Sequence, residues 1–582
     1  MRRSDISIVV VAALVFADAT IVTLALPNLL VDLHTTVYGV AAVLGVYTAA
    51  LGGTALVLWR IDAAFVDARV ATIALCAFSL ASVGCALADR LDVLLVARAA
   101  QGAAGAVILA AAGAAVASRS GRAWALVGVL SLAVGPVVGG ALTQAFSWRA
   151  IFVAQAPLPL VAAILRRTWF SRAGAGEQRS NVPRRRLAVL ALISGALTAL
   201  LFGVVLLLVV GWAMHPLAAA LAVSIVPLAA LAGALVRGHA ATRVAVGSGL
   251  IGGGIAALAF VPSDNVAWLV VPECVAGFGM GLALTPLIEE MLPERTYDAR
   301  ALNLAVRHLG ITLALVVLAP VIHHDLDHAT ERAKLQSVGV VLAAPIGPRE
   351  KISLAPKLVA AVHTSRPLAG VRAAGPTARA TVKLSERSRF DAMFHRIEET
   401  FVAAARDAFA NAFLIAAALA FAAAALLLVD ARAAAIAALV AGACVAGAQA
   451  LVNHYAAPET YALGRPCQSR ELPHSGGVGG LTQEVVLTAV DGAACRLGAT
   501  REELVLALAD KGEAKSAIAH LREAVALQPD LAQAHNNLGI LLARGGAHAE
   551  AVAELQQALA LEPESREIRR NLDFALGGRR RP

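Results

Sequence analysis

Charged residues are scarce in this sequence. Asp, Glu, Lys and Arg make up 15% of its 582 residues, whereas hydrophobic residues make up 59%. Soluble domains are about a quarter charged and less than half apolar, so the composition excludes an ordinary soluble protein and indicates a membrane protein. Aromatic residues are also few, at 5%, and do not alternate with basic ones. The net charge of +9 therefore does not indicate nucleic-acid binding, and it favours loops that face the cytoplasm and anionic membrane lipid.

The motifs of catalysis and metal binding are missing as well. The sequence has no glycine-rich phosphate loop with its lysine, no nucleophile elbow and no zinc-type Cys/His spacing. We therefore expect no enzyme activity, no built-in ATP hydrolysis and no cofactor. His323, His324, Asp325 and His328 lie close together. They share one segment without a cysteine partner, so we expect no metal there.

Apolar stretches long enough to cross a bilayer dominate the chain, because a span needs about 20 apolar residues. They lie at about 7–30, 38–59, 70–88, 93–117, 123–145, 148–166, 187–211, 217–236, 244–262, 267–288, 302–322, 408–429 and 432–452. The first is too long for a signal-peptide core, so we expect it to remain as a span. The pattern predicts an all-α polytopic bundle of two six-helix halves, with about 12–13 spans and a small α-solenoid tail.

Arginines in the short loops predict the orientation. With alternate crossings from a cytoplasmic N-terminus, seventeen arginines fall on the cytoplasmic side and two, Arg90 and Arg149, on the other. The seventeen are Arg2, Arg3, Arg60, Arg69, Arg119, Arg122, Arg166, Arg167, Arg172, Arg179, Arg184, Arg185, Arg186, Arg237, Arg243, Arg295 and Arg300. Because cytoplasmic loops carry the excess of Lys and Arg, we expect the N-terminus in the cytoplasm and the protein in the inner membrane.

The same features divide the chain into regions. We predict an N-terminal half, a basic cytoplasmic linker, a C-terminal half with an extracytoplasmic loop, a turn-rich connector and a helical repeat tail. Their bounds are 1–166, 167–186, 187–452 with the loop at 323–407, 453–499 and 500–577. Helical spacing from Phe390 to Arg406 predicts an amphipathic helix at the end of the loop. A partly disordered loop is the equal alternative.

Two similar stretches indicate repeats in the tail. Pro529 and Pro563 are 34 residues apart and close Ala-Leu-Gln-Pro and Ala-Leu-Glu-Pro, a period that is typical of tetratricopeptide repeats. Thr500 and Glu503 have the spacing of a capping box. Apolar and small positions repeat in both units: Leu504, Leu508, Ala517, Leu521 and Ala524, then Leu538, Gly539, Leu542, Ala551, Leu555 and Ala558. Two units with a closing helix fall short of the usual three, so we expect the array to lean on another surface or a partner protein.

Three motifs, in the first, fourth and fifth predicted spans, resemble the major facilitator superfamily, in particular its fourteen-helix drug:proton antiporter branch. Asp18-Ala-Thr-Ile-Val-Thr-Leu-Ala-Leu-Pro27 resembles the signature of that branch, Ala97-Arg98-Ala-Ala-Gln101-Gly102 its motif B, and Gly135-Pro136-Val-Val-Gly139-Gly140 its antiporter motif C. Trp148-Arg149-Ala-Ile-Phe152, Gly277-Phe-Gly279-Met-Gly281 and Arg307-His-Leu-Gly310 are further similarities. The resemblance covers about 1–430. Motif A is degenerate, because Trp59-Arg-Ile-Asp62 and the following residues lack its glycines.

The resemblance implies roles for residues of these motifs. Asp18 is implied in proton coupling or substrate contact, and Arg98 with Gln101 in proton transfer; the alternatives are a hydrogen-bonded acid and a structural charge pair. Gly135, Pro136, Gly139 and Gly140 are implied in a gate that sets antiport, or in close helix packing, and both can hold.

Glu273 also lies within a predicted span. It is a possible second carboxylate for protons, although we favour a solvated group that faces the outer vestibule.

Cys467 and Cys495 are the cysteines of the tail. If 432–452 crosses the membrane, the tail lies outside and the two can form a disulfide. If it does not, the tail is cytoplasmic and both are free thiols. We favour the first arrangement.

The sequence thus predicts a proton-driven exporter of small hydrophobic or amphipathic molecules, with a possible protein partner at the repeats. The alternative is a degenerate transporter that acts as a membrane scaffold or sensor and recruits a protein through its repeats.

Overall fold

The computed structural model is helical, and no strand occurs in the part of the chain that it describes. This confirms the predicted all-α class. The described residues are 3–61, 67–116, 121–165, 182–289, 297–347, 351, 366–380, 382–468, 478–496, 498–506, 518, 521–522, 525–526 and 529–578. The degenerate motif A segment 62–66 and most of the linker, 166–181, lie outside them.

The chain forms two compact units. The first, here called the membrane unit, consists of Met1–Ala333 and Glu399–Thr460. The second, here called the composite unit because two distant segments build it, consists of Lys334–Glu398 and Tyr461–Pro582.

All thirteen predicted apolar segments fall on helices. These are α1 (Arg3–Thr23), α2 (Leu26–Asp32), α3 (Val37–Arg60), α4 (Ala68–Leu87), α5 (Leu91–Val116), α6 (Gly121–Ala145), α7 (Arg149–Gln155), α8 (Pro157–Leu165), α9 (Arg184–Leu206, continued by a π-helical turn Leu207–Gly211), α10 (Pro216–Val223), α11 (Ile225–Leu235), α12 (Ala240–Leu258), α13 (Ala267–Glu289) and α14 (Tyr297–Ala343). After α15 (Pro367–Ala380), the apolar segments continue with α16 (Arg387–Leu426) and α17 (Arg432–Ala456).

Among the described residues, fewer uninterrupted spans are found than the 12–13 that the sequence predicts. Within the described residues, ten helices are long and apolar enough to cross a membrane, or eleven if the bent pair α1–α2 counts as one. Prolines account for part of the difference, because proline lacks the N–H that continues a helix. Pro157 begins α8 and divides the segment 148–166, and Pro27 lies at the start of α2, where the chain bends by 57°.

Small residues let the helices of the membrane unit approach closely. A Cβ atom on Gly277 or Gly281 of α13 would overlap the backbone of Val226 or Ala230 on α11. Gly102 of α5 lies in the same way against the backbone of Tyr47 on α3. In lipid there is little hydrophobic drive between helices, so such van der Waals contact is a main source of association.

Two helices extend well beyond their apolar parts. α14 is 47 residues long and continues past the predicted span end at 322, and α16 is 40 residues long and includes the predicted amphipathic stretch. The polar residues from His323 to Ala333 therefore continue a helix, because apolar length marks where a membrane ends and not where helical hydrogen bonding ends. His324 and His328 face each other edge to face, and Asn411 donates to Asp325.

The composite unit contains α15, α18 (Val478–Arg496), α19 (Ala532–Arg544), α20 (His548–Leu561) and α21 (Arg566–Gly578). Leu538 and Leu542 of α19 pack on Ala551 and Leu555 of α20, and Gly539 admits the Leu555 side chain. This is the helix pair that the second repeat predicts. Ala575 of α21 closes the cluster. In the first repeat, Leu508, Ala517 and Ala524 lie outside the described residues.

Candidate functional site: a buried charge pair beside a central cavity

A buried ion pair joins α1 to α5 in the membrane unit. Arg98 Nη1 donates to Asp18 Oδ2 at 2.6 Å, and both side chains are 0% exposed. Moving a charge out of water costs several kcal/mol, and an opposite charge with good hydrogen bonds offsets this cost. The sequence placed these two residues in separate spans, and the structure brings them together.

Further hydrogen bonds hold the arginine in place. Arg98 Nη1 also donates to Gln101 Oε1 at 2.6 Å, and Nε donates to the carbonyl of Val43 at 3.3 Å. Gln101 Nε2 in turn donates to Ser82 Oγ at 2.9 Å and to Gln155 Oε1 at 3.1 Å. The guanidinium lies between aromatic rings, 4.2 Å from the centre of Tyr47 and 5.7 Å from that of Phe152. This network connects α3, α4, α5 and α7 and orients the cation towards Asp18.

One oxygen of the acid remains unused. Asp18 Oδ1 is buried and has no hydrogen-bond partner among the described residues. A carboxylate oxygen without a donor is the position that can accept a proton, because protonation converts it into a donor and removes the charge. Of the two carboxyl oxygens of Asp18, Oδ2 therefore accepts a hydrogen bond from Arg98, and Oδ1 is left for a proton.

The glycine motif of α6 presses against the helix that carries Asp18. A Cβ atom on Gly135 would overlap Thr20, and one on Gly139 would overlap the backbone of Ile21. Gly140 faces Ala220 and the carbonyl of Pro216 on α10. Pro136 lies inside α6, where it leaves a carbonyl without its usual helical donor. The three glycines of the motif thus place α6 in van der Waals contact with α1 and α10.

A cavity of about 70 Å³ opens next to the pair. Both halves of the membrane unit line it, with Thr20, Tyr47 and Thr48 on the first half and Phe202, Arg307 and His308 on the second. Most of its remaining wall is apolar: Val15, Phe16, Ala19, Leu44, Leu197, Leu201, Val226, Met280, Leu284, Ile311 and Leu315. Thr48 and Thr312 contact each other through their hydroxyls at 2.9 Å and so join the two halves.

Two adjacent residues of α14 bring basic groups to the cavity wall. The Arg307 guanidinium lies over the ring of Phe16 at 5.3 Å, and His308 Nδ1 contacts the carbonyl of Leu304 at 2.9 Å. In the sequence, Arg307 and His308 belong only to a weak motif similarity, which does not assign them to a site. The sequence does contain a signal that could have identified them, because two adjacent ionisable residues within an apolar span indicate function.

Glu273 of α13 differs from its predicted setting. It is 0% exposed, and neither carboxyl oxygen has a hydrogen-bond partner among the described residues. The expectation of a solvated vestibule group was therefore wrong for this structure. Next to Glu273, helix α12 approaches α13 closely, because a Cβ atom on Gly254 would overlap the backbone of Pro272 and Ala276.

Sequence reasoning missed the residues that complete the charge network. Tyr47, Ser82 and Gln155 are all buried polar side chains, and each lies in a predicted apolar span. A polar residue in such a span is a signal by itself. Which of them share a face with Arg98 depends on helix rotation, and one sequence does not give that rotation.

In the composite unit, the two tail cysteines are joined. Cys467 and Cys495 form a disulfide across 28 residues of sequence. Beyond it, Glu503 accepts from the N–H of Thr500 at 2.7 Å while Thr500 Oγ1 accepts from the N–H of Glu503 at 3.2 Å. The predicted capping box is therefore present, and it begins the helix that opens the repeat array.

Sequence comparison gives the family. The profile of the Major Facilitator Superfamily matches residues 8–315, more than half of the chain, and a tetratricopeptide repeat profile matches residues 506–546. The chain belongs to the major facilitator superfamily. This membership makes it a multi-pass membrane protein of a transporter family rather than an enzyme. The repeats at its C-terminus are of a type that binds proteins. The match is to the superfamily, and it does not extend to the fourteen-helix branch.

Several known proteins are similar to parts of the chain. An uncharacterized transporter of Escherichia coli (strain K12), YebQ, is 27% identical over 36% of this chain and 46% of its own length. The lincomycin resistance protein of Streptomyces lincolnensis is 33% identical over 26% of the chain and 32% of its length. The methylenomycin A resistance protein of Streptomyces coelicolor is 29% identical over 28% and 35%. The chain thus spans less than half the length of these relatives.

Solved structures are similar at lower identity. A bacterial homologue of the human lysosomal transporter Spinster, inward-facing and unoccupied, aligns with a TM-score of 0.47 at 14% identity, over 74% of this chain and 99% of that one. The nucleoside transporter NupG aligns with a TM-score of 0.42 at 12% identity, over 55% and 91%.

Proposed function

We propose that this protein exports small hydrophobic or amphipathic molecules across the inner membrane in exchange for protons. The observation that carries the proposal is the buried Asp18–Arg98 pair, whose carboxyl group keeps one oxygen without a donor. The resistance proteins among its relatives support an export role at low identity.

The charge pair supports proton coupling because α1, the helix that carries Asp18, also lines the cavity. Asp18 precedes Ala19, Thr20 and Thr23, which line the cavity. Protonation of Asp18 would remove the attraction that holds Arg98 to α1. A buried guanidinium without its counter-ion is costly, so α1 and α5 would then favour another arrangement. A proton and a bound molecule would in this way compete through the position of α1.

Alternating access supplies the transport step. Both halves line the cavity, and its volume of about 70 Å³ is small beside the roughly 300–1,000 Å³ of drug-sized ligand sites. A substrate of that size therefore requires the halves to separate. The Thr48–Thr312 contact is a single neutral hydrogen bond of about 1 kcal/mol, so it opposes such separation only weakly.

Glu273 is the proposed second proton site. A carboxyl group that is fully buried and lacks donors among the described residues is tolerated as the neutral acid, since an isolated buried carboxylate is far more costly. Release of its proton then requires access to water, which a change of conformation would provide.

Everted membrane vesicles test the proposal. An imposed pH gradient should drive accumulation of fluorescent hydrophobic compounds by the wild type, and Asp18→Asn should abolish this accumulation because asparagine cannot exchange a proton. Asp92→Asn is the matched control, since Asp92 is an exposed acid near the start of α5 that pairs with Arg90 at 2.7 Å.

Two outcomes would contradict the exporter. Gradient-driven accumulation that survives in Asp18→Asn would remove the role of the pair. If no compound of a broad panel accumulates with the wild type, the scaffold or sensor function is favoured, in which the repeats recruit a protein to the membrane.

A further inference from the structure

We propose that the central cavity selects molecules that carry a negative charge on an apolar body. This inference deepens the proposed function and rests on it. Arg307 brings a permanent cation to the cavity wall, and among the side chains that the structure describes no carboxylate lines the same cavity. Asp18, the nearest acid by sequence to the lining residues of α1, is fully buried and directed to Arg98.

The surroundings of Arg307 favour an anion over a cation. Its guanidinium contacts the face of Phe16, a weak interaction that does not neutralise the charge. His308 is adjacent and uses Nδ1 on the Leu304 carbonyl, so only its Nε2 is left for a bound molecule. An arginine prefers carboxylate, sulfonate or phosphate oxygens in two-point hydrogen bonds. The apolar remainder of the wall then fits a hydrocarbon or aromatic body.

A pair of probes with opposite charge and nearly equal shape tests the selectivity. Tetraphenylborate and tetraphenylphosphonium would be titrated calorimetrically into the purified full chain in detergent, with empty micelles as the reference. We expect the borate to bind about tenfold more tightly, which is about 1.4 kcal/mol. Arg307→Met should abolish the preference, and Arg307→Lys should retain most of it.

Arg185→Met is the matched control, because Arg185 pairs with Asp430 at 3.1 Å in a half-exposed position outside the cavity. Equal binding of both probes by the wild type, tighter binding of the phosphonium, or an unchanged preference in Arg307→Met would overturn the inference. A protein that shows the borate preference but no gradient-driven accumulation would contradict the proposed function and leave the selectivity intact.

An independent observation concerns the composite unit. We infer that the insert 334–398 and the tail 461–582 form one extracytoplasmic domain. Gln336 Nε2 donates to the carbonyl of Tyr461 at 2.9 Å, and the Tyr461 ring lies against Gly339. The Tyr461 hydroxyl donates to Glu502 at 3.3 Å, at the start of the repeat array. One tyrosine thus links the insert to the first helix of the repeats.

This contact distinguishes the two topologies that the sequence left open. Between the insert and the tail lie the apolar end of α16 and the 25 residues of α17. If both cross the membrane, the insert and the tail are on the same side and can touch. If α17 does not cross, the bilayer of about 30 Å separates them. The observed packing excludes a single crossing, and the apolar length of both helices accounts for two.

The side of the membrane on which this domain lies follows from the arginine distribution and from the disulfide. The arginine distribution places the insert outside, opposite the seventeen arginines. The disulfide between Cys467 and Cys495 agrees, because disulfides persist in oxidising compartments and are rare in the cytoplasm. Through Tyr461 the insert also reaches the first helix of the two-repeat array, which we expected to need another surface because such arrays need about three units to be stable alone.

A cysteine pair tests the shared domain. In a full chain whose Cys76, Cys85, Cys274 and Cys444 are replaced by serine, Gln336→Cys and Tyr461→Cys should each react with one maleimide–polyethylene glycol. In the double variant the two new cysteines should form a disulfide, so that the protein reacts with no maleimide–polyethylene glycol until it is reduced. Two reactive thiols in the double variant would overturn the packing of insert on tail.

Reporter fusions test on which side of the membrane the domain lies, and they do not depend on the double cysteine variant. Alkaline phosphatase fused after Pro582 should be active, and a fluorescent protein that folds only in the cytoplasm should be dark. Deletion of 432–456 should reverse both signals, because it removes one crossing. A fluorescent full-length fusion would overturn the extracytoplasmic assignment.

Discussion

The two buried acids of the membrane unit are kept in the fold in different ways. Asp18 has a charged partner at 2.6 Å, and the partner itself is held by Gln101 and a backbone carbonyl. Glu273 has no hydrogen-bond donor among the described residues. An acid with a fixed cation can remain ionised in a low-dielectric site, whereas an acid without one must be neutral. The comparison predicts a large loss of stability at Asp18 and a small change at Glu273 for the same change from acid to amide.

Loss of charge at Asp18 should have the largest effect on stability. Asp18→Asn or Arg98→Met leaves the other member as an uncompensated buried polar or charged group, so each should lower the free energy of unfolding by about 3–5 kcal/mol. The double variant should lose less than the sum of the two. Unfolding in mixed micelles titrated with dodecyl sulfate measures all four proteins. Additive losses would show that the two side chains do not interact.

The contact that holds α6 on the Asp18 helix should have an intermediate effect. Gly139→Ala forces a methyl group into the backbone of Ile21, and such overpacking costs about 1–3 kcal/mol. Gly53→Ala in α3 is the control, because nothing lies within 4 Å of its added Cβ. We expect that change to be neutral or to stabilise by up to about 1 kcal/mol, since alanine favours helices over glycine. Equal losses in both variants would contradict the close approach.

Glu273→Gln should change stability least among the membrane variants. Glutamine keeps the shape of the neutral acid, so the free energy of unfolding should change by less than about 1 kcal/mol near neutral pH. The same titration measures it. A loss as large as that of Asp18→Asn would mean that Glu273 is ionised and has a cationic partner, and the comparison between the two acids would fail.

Much of the fold followed from apolar length, and the missed parts share a physical reason. Thirteen apolar segments predicted helices correctly, because in lipid every backbone group must be satisfied within its own segment. The motifs also identified Asp18, Arg98 and Gln101. Hydropathy does not encode how each helix is rotated and packed. It therefore could not predict the ion pair of Asp18 with Arg98, the hydrogen bonds of Gln101 to Ser82 and Gln155, or the burial of Glu273. The packing of the insert on the tail joins residues 125 apart, such as Gln336 and Tyr461, and no local pattern predicts that contact.

A third buried ionisable group, in the composite unit, extends the comparison to a group that lies near a like charge. Burial, and then the nearby Arg501 cation, lower the pKa of Lys351 from 10.5 to about 8, although its Nζ donates to the Leu342 carbonyl at 2.7 Å. Below pH 8 both the folded and the unfolded chain carry the proton, so the folded state bears the full cost of the charge. Between pH 8 and 10.5 the unfolded chain binds more protons, and stability should rise with pH. Lys351→Met should therefore raise the melting temperature at pH 7, and this advantage over the wild type should shrink by pH 10. The exposed Lys383→Met variant should show no such trend. An advantage of Lys351→Met that is independent of pH would mean that the folded and unfolded chains bind this proton equally, so that the fold does not lower the pKa of Lys351.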